Sequence, residues 1–125
     1  MNKLKHWILD EEGHAIEVDL ITWAKWLEHP DNRIVGYTQI TSEVWVSTVF
    51  IGIDMGFRDI TGGGPPILFE TMIFGGPLND TMDRYSSYDD AMTGHKMYVK
   101  RARKAAGQRI RGEPWKVQLK ANTKG

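Results

Sequence analysis

Two stretches of this chain are apolar without the alternation of a strand that has one wet face. The first is Val44-Trp45-Val46, then Thr48 to Ile51 and Ile53; the second, Pro66 to Phe74, holds Ile67, Leu68, Phe69, Met72, Ile73 and Phe74. Both are rich in β-branched and aromatic residues, which pack well on a pleated surface. A strand apolar on both sides must be covered on both, by helices, loops or a second copy of the protein. These two strands are expected to form the core. With 125 residues the chain has material for one such core and too little for two.

The flanking segments supply the rest of an α+β domain, mainly an antiparallel sheet with two helices. Trp7 to Leu9 and Ala15 to Val18, around the turn Asp10-Glu11-Glu12-Gly13, predict an N-terminal hairpin. Asp19 is placed to cap a helix whose apolar face is Leu20, Trp23, Ala24 and Leu27, with Trp26 at its edge, and which stops before Pro30. Ile34 to Ile40 predicts a strand turning near Thr41-Ser42 into the first apolar run. A glycine-rich connection from Met55 to Pro65 joins the two core strands, and Gly75 to Asp80 forms a turn after the second. Ser86 or Ser87 caps a long C-terminal helix reaching about Ala106. Its apolar face is Tyr88, Ala91, His95, Tyr98, Val99, Ala102 and Ala106, and Lys96, Lys100, Arg103 and Lys104 face away. The domain therefore spans 1–106. The remainder, 107–125, reads as a mobile basic tail with one short strand, Trp115 to Leu119.

The net charge is zero, yet its distribution is lopsided. Up to His95 there are six Lys/Arg against fifteen Asp/Glu; beyond it there are ten against Glu113 alone. Such a basic segment is either a solvated helix face and tail that neutralise the acidic body, or a surface for nucleic acid or a host protein complex, running from Lys96 to Lys124. The absence of cysteine removes disulfides, thiolate zinc sites and thiol nucleophiles, and favours the cytosol. No apolar run approaches the length that spans a bilayer, so no membrane partner is expected.

No catalytic signature is present. A Gly-x-Ser-x-Gly turn is missing, and His6, His14, His29 and His95 are too scattered in sequence to share a metal on one element. Gly62-Gly63-Gly64 is followed by Pro65-Pro66 in place of the Gly-Lys-Ser/Thr and helix of a phosphate loop. No cofactor is expected. Glu70 interrupts the second apolar run and needs a partner, either an arginine such as Arg84 or a ligand. His95 poses the same question on the last helix, as a satisfied core residue or an acid/base group. A nucleotide-like ligand calls for an aromatic face, a guanidinium and an amide; Phe57 and Arg58 in the first long loop, and Phe74, Asn79, Arg84 and Tyr85 around the second, supply that set if the two loops meet at one end of the sheet.

Several phrases, Thr22-Trp23-Ala24-Lys25-Trp26, Val46 to Asp54, Pro66 to Gly76, Arg84 to Tyr88 and Gly94-His95, resemble a family of small accessory proteins of tailed phages and prophages. The likeness covers about Trp23 to Val99 and stops short of the basic tail beyond Arg103. It implies a phage accessory role and, by looser analogy with the nucleotide sponges that counter Thoeris immunity, a non-enzymatic homo-oligomer in the host cytosol sequestering a small nucleotide-derived signal. The residues expected to touch that ligand are Phe74, Asn79, Arg84 and Arg58.

Overall fold

The structure, a computed structural model, describes residues 4–54 and 64–108. Arg58, Phe57, the first two glycines of the triplet and the strand expected at Trp115 to Leu119 lie outside the described residues. The fold is α+β, with a two-stranded N-terminal hairpin, a four-stranded antiparallel sheet and three helices, the last of them C-terminal in the described chain.

β1 (His6–Leu9) and β2 (Ala15–Val18) pair around a turn in which Asp10 Oδ1 accepts from the amides of Glu12 and His14 at 2.9 and 2.8 Å. α1 (Leu20–Leu27) follows, its first turn capped by Asp19, whose carboxylate accepts from Thr22 N at 2.7 Å. Those amide bonds hold the Asp10 and Asp19 carboxyls below their ordinary range. Pro30 opens a short helix, α2 (Pro30–Arg33), rather than ending structure, because a proline at the first helical position loses no hydrogen bond.

The sheet is a meander of β3 (Ile34–Gln39), β4 (Trp45–Phe50), β5 (Phe69–Phe74) and β6 (Met82–Tyr85), in that spatial order. α3 (Tyr88–Ala105), capped by Ser87 Oγ accepting from Asp90 N at 3.0 Å, lies across one face of all four strands. Alternation in β4 and β5 sends Val46, Thr48, Phe50, Phe69, Thr71 and Ile73 towards α3, where all six are buried. A bulge between Ile34 and Gly36 turns both Val35 and Gly36 to that side.

Two apolar clusters result, one of Ile40, Val46, Ile73, Tyr98 and Ala102, the other of Phe50, Leu68, Phe69 and Ala91. Phe50 and Phe69 meet edge to face at 5.0 Å, and each fully buried side chain of this kind contributes about 1.5–3 kcal/mol. The hairpin and α1 extend the second cluster through Trp7, Leu9 and Trp26, the last packing edge-on against Phe50 at 5.6 Å. Gly52 makes this junction possible. Its φ is +78°, Trp7 N donates to its carbonyl at 2.8 Å, and a Cβ there would strike the Trp7 carbonyl and the Trp23 indole.

Four expectations are corrected. The inner face of α1 is Trp23, Trp26 and Leu27; Leu20 is 57% exposed and Ala24 is exposed too, because only the helix flank carrying the tryptophans reaches Phe50 and the Ile51 carbonyl. Arg103 is half-buried instead of facing away. The segment after Asp80 pairs as β6. Finally, β4, β5 and β6 are consecutive antiparallel neighbours, so the connection after β4 and the turn after β5 fall at opposite ends of the sheet.

Candidate functional site

The sheet face turned away from α3 carries three cross-strand rows. At one end stand Gln39, Trp45 and Phe74; in the middle Tyr37, Ser47, Met72 and Met82; at the other end Ile34, Val49, Glu70 and Arg84. α3 lies across the opposite face, and Trp7, Leu9 and Trp26 pack on that side too, against the cluster of Phe50 and Phe69. Tyr37 is 55% exposed, Met82 37%, and Trp45, Met72 and Phe74 are partly exposed. Within one chain, no described element covers this side of β4 and β5, the side for which a loop or a second copy was the expected cover.

Trp45 and Phe74 are direct cross-strand partners, and their rings stack with centroids 5.3 Å apart and planes 11° from parallel. Tyr37, on the neighbouring row, hydrogen-bonds the Gln39 side chain, whose amide donates to the Thr41 carbonyl at 2.6 Å. At the far end Arg84 Nε donates to Glu70 Oε2 at 3.1 Å, across directly paired positions of β5 and β6. One guanidinium nitrogen is thus engaged, and among the described residues nothing takes the donors of the two terminal amino groups. Glu70 fixes the direction in which they point.

Asn79 does not join this surface. Its Oδ1 accepts from Gly75 N at 2.7 Å and closes the turn after β5. Phe74 and Arg84 do share the face, on rows separated by four residues, about 13 Å along the strands. Trp45 and Tyr37 were not anticipated as site residues. The signal was present in the spacing of Trp45, Ser47 and Val49, which a period of two puts on one face; the pairing with Phe74 is a fact of register.

His95 lies on the other side of the sheet from Glu70, in the α3 interface, so the two form no joint acid/base pair. It is 8% exposed, with Nε2 2.9 Å from Thr38 Oγ1 and Nδ1 2.7 Å from Thr48 Oγ1, and Thr48 in turn bonds Thr71 at 2.5 Å. This polar belt separates the two apolar clusters. Each hydroxyl both donates and accepts, so a neutral imidazole is satisfied in either tautomer, and burial pushes its pKa below the ordinary histidine value. Gly36 lies against the ring, where a Cβ would be 3.0 Å from Nδ1.

Two other places hold chemistry-bearing groups. A cavity of about 440 Å³ between the hairpin turn and α2 is lined by Asp10, Glu11, Glu12 and Asp31 with Trp26 and Tyr88, a charge that repels phosphate. Side-chain donors of Asp10, Glu12 and His14 converge within 4.8 Å in the same turn, where the Asp10 carboxylate already accepts the two turn amides. On α3, Lys96, Lys100 and Lys104 are exposed and recur every fourth residue, making one basic stripe. No helix among the described residues is long and apolar enough to cross a membrane.

Comparison with protein-family models, with curated proteins and with solved structures gives no match for this chain.

Proposed function

We propose that this protein captures a small nucleotide-derived signal, of the cyclic ADP-ribose or cyclic oligonucleotide type, and releases it unchanged, serving a phage as a counter-defence sponge in the host cytosol. The observation that supports this reading is the open sheet face, where the Trp45 and Phe74 rings with Tyr37 offer a surface for a base and Arg84 offers free guanidinium donors to phosphate. The roughly 13 Å between the aromatic row and Arg84 suits a ligand with two rings or a pyrophosphate between its ends better than a mononucleotide. Ser47 adds a hydroxyl group for ribose. The phage setting rests on the resemblance of Trp23 to Val99 to phage accessory proteins. In a homo-oligomer, a second copy facing the sheet would enclose the ligand.

The test is capture and release. Purified protein incubated with cyclic ADP-ribose and with cyclic dinucleotides, washed, then heat-denatured, is expected to return the ligand intact by chromatography. Trp45→Ala is expected to weaken retention by about 1–3 kcal/mol, the usual worth of one stacked base. No retention across that panel would sink the proposal, and recovery of a cleaved product would make the protein an enzyme.

A second reading is supported by the stripe of Lys96, Lys100 and Lys104, a run of positive charge that attracts the phosphates of a nucleic acid where the acidic body repels them. There the protein binds DNA, or a nucleic-acid-bound host complex, along α3.

A further inference from the structure

β6 is an outer strand of the sheet, and next to it the gap to α3 forms a groove of about 330 Å³. Ile73 N donates to the Thr81 carbonyl at 3.0 Å, so in an antiparallel ladder Asp83 and Tyr85 turn their backbone groups inward to β5. Met82 and Arg84 turn theirs outward, and among the described residues no strand meets them. The groove beside that edge has an apolar floor and lip. Gly94 lies directly beneath the Tyr85 hydroxyl, too close for any Cβ, and Met97, 60% exposed, stands over it on α3. At one end Asp83 faces Tyr98, over whose ring Arg101 sits at 5.0 Å; at the other is Asp90, whose carboxylate makes no ion pair among the described residues. Burial and the Asp83 carboxylate push the Tyr85 and Tyr98 hydroxyls above the ordinary phenol range. The groove's charged groups, Asp83, Asp90 and Arg101, leave one net negative charge.

A free strand edge beside an apolar groove is the arrangement that accepts an added strand: backbone bonds hold it, and alternate side chains enter the groove. A second copy of this chain fits poorly. Of the antiparallel registers that pair this edge with itself, those centred on Asp83 and on Arg84 set like charges directly opposite, which is destabilising, and the one centred on Met82 overlaps little of the strand before it meets the turn at Asp80.

We propose that the edge of β6 and the groove under α3 bind an extended peptide segment of another protein, with a basic residue across from Asp83 and an apolar residue, two positions away, seated between Tyr85 and Met97. The added strand runs alongside Met82 to Tyr85 and takes hydrogen bonds from the outward groups of Met82 and Arg84. This surface takes the backbone of Met82 and Arg84 and the α3 side of β6, whereas the nucleotide reading uses the Arg84 side chain on the opposite face of the sheet.

The probes are the N-acetylated, C-amidated peptides Thr-Lys-Thr-Leu-Thr and Thr-Leu-Thr-Lys-Thr, which cover both strand directions, titrated into the full ¹⁵N-labelled chain. Saturable shifts of the Met82, Asp83, Arg84 and Met97 amides are expected with one of them. Met82→Pro removes an outward N–H and leaves the β5 ladder intact, so it should abolish binding while the rest of the spectrum stays folded. Asp83→Lys is expected to weaken the lysine peptide about 3–5-fold and to turn the preference to the same peptide with Glu for Lys. The proposal is overturned by absence of shifts with both peptides, by binding indifferent to both substitutions, or by concentration-dependent shifts of these amides without peptide, which would assign the edge to a second copy.

Discussion

His95 meets the sheet through two hydroxyls, Thr38 and Thr48, and its environment makes a definite demand on pH. Burial lowers its folded pKa below the ordinary 6.5, whereas the unfolded chain keeps that value. As pH falls below about 6.5 the unfolded state takes up a proton that the folded state resists, so stability declines over that window and levels off only below the folded pKa. Denaturant unfolding from pH 7.5 to 5 is expected to show this decline, and His95→Gln, which cannot titrate, should flatten it; an unchanged slope in the variant would assign the acid sensitivity elsewhere. At this scale the sequence was readable in part. Glu70 and His95 stand out as polar residues in apolar surroundings, and each has a partner in the fold. Which partner was not readable for His95, because Thr38 and Thr48 lie far away in sequence and reach it only through register. The same holds for Trp45, whose place beside Phe74 depends on how β4 slides against β5.

Among the elements, the long C-terminal helix, the hairpin and the two core strands were legible, since each has a cap, a turn or an apolar run of its own. β6 was not. Met82-Asp83-Arg84-Tyr85 has little β-branched character, and it is a strand because β5 offers it a ladder and Arg84 finds Glu70. α1 shows the opposite error: its periodic face includes Leu20, but contact with Phe50 and the Ile51 carbonyl is made by Trp26 and Trp23. The correction predicts unequal costs. Leu20→Glu is expected to change unfolding free energy by less than about 0.5 kcal/mol, as at other exposed positions. Trp26→Ala should cost roughly 2–3 kcal/mol, somewhat under the ~3–5 of a fully buried aromatic. Equal losses in chemical denaturation would restore the predicted face.

Across the whole molecule, charge is divided between an acidic N-terminal part and a basic stripe on α3, and the divided charge bears on which ligand goes where. Phosphate is repelled by the cavity at the hairpin turn and drawn towards α3 or Arg84. If duplex DNA is held along Lys96, Lys100 and Lys104, its affinity drops steeply with salt, and replacing all three by Gln should reduce the slope of log K against log salt by about 2–3. A slope that does not change would remove the stripe from nucleic-acid binding and leave the sheet face as the phosphate site. The sheet itself has a further consequence. Because Thr48 and Thr71 point to α3 while Ser47 and Met72, their chain neighbours, point away, each core strand carries two sets of residues that meet separate physical demands. The exposed set can be substituted without a cavity opening in the buried one. A lineage of such proteins could therefore change what it binds while conserving how it folds, and relatives would be recognised by the hidden alternate positions long after the exposed ones had diverged.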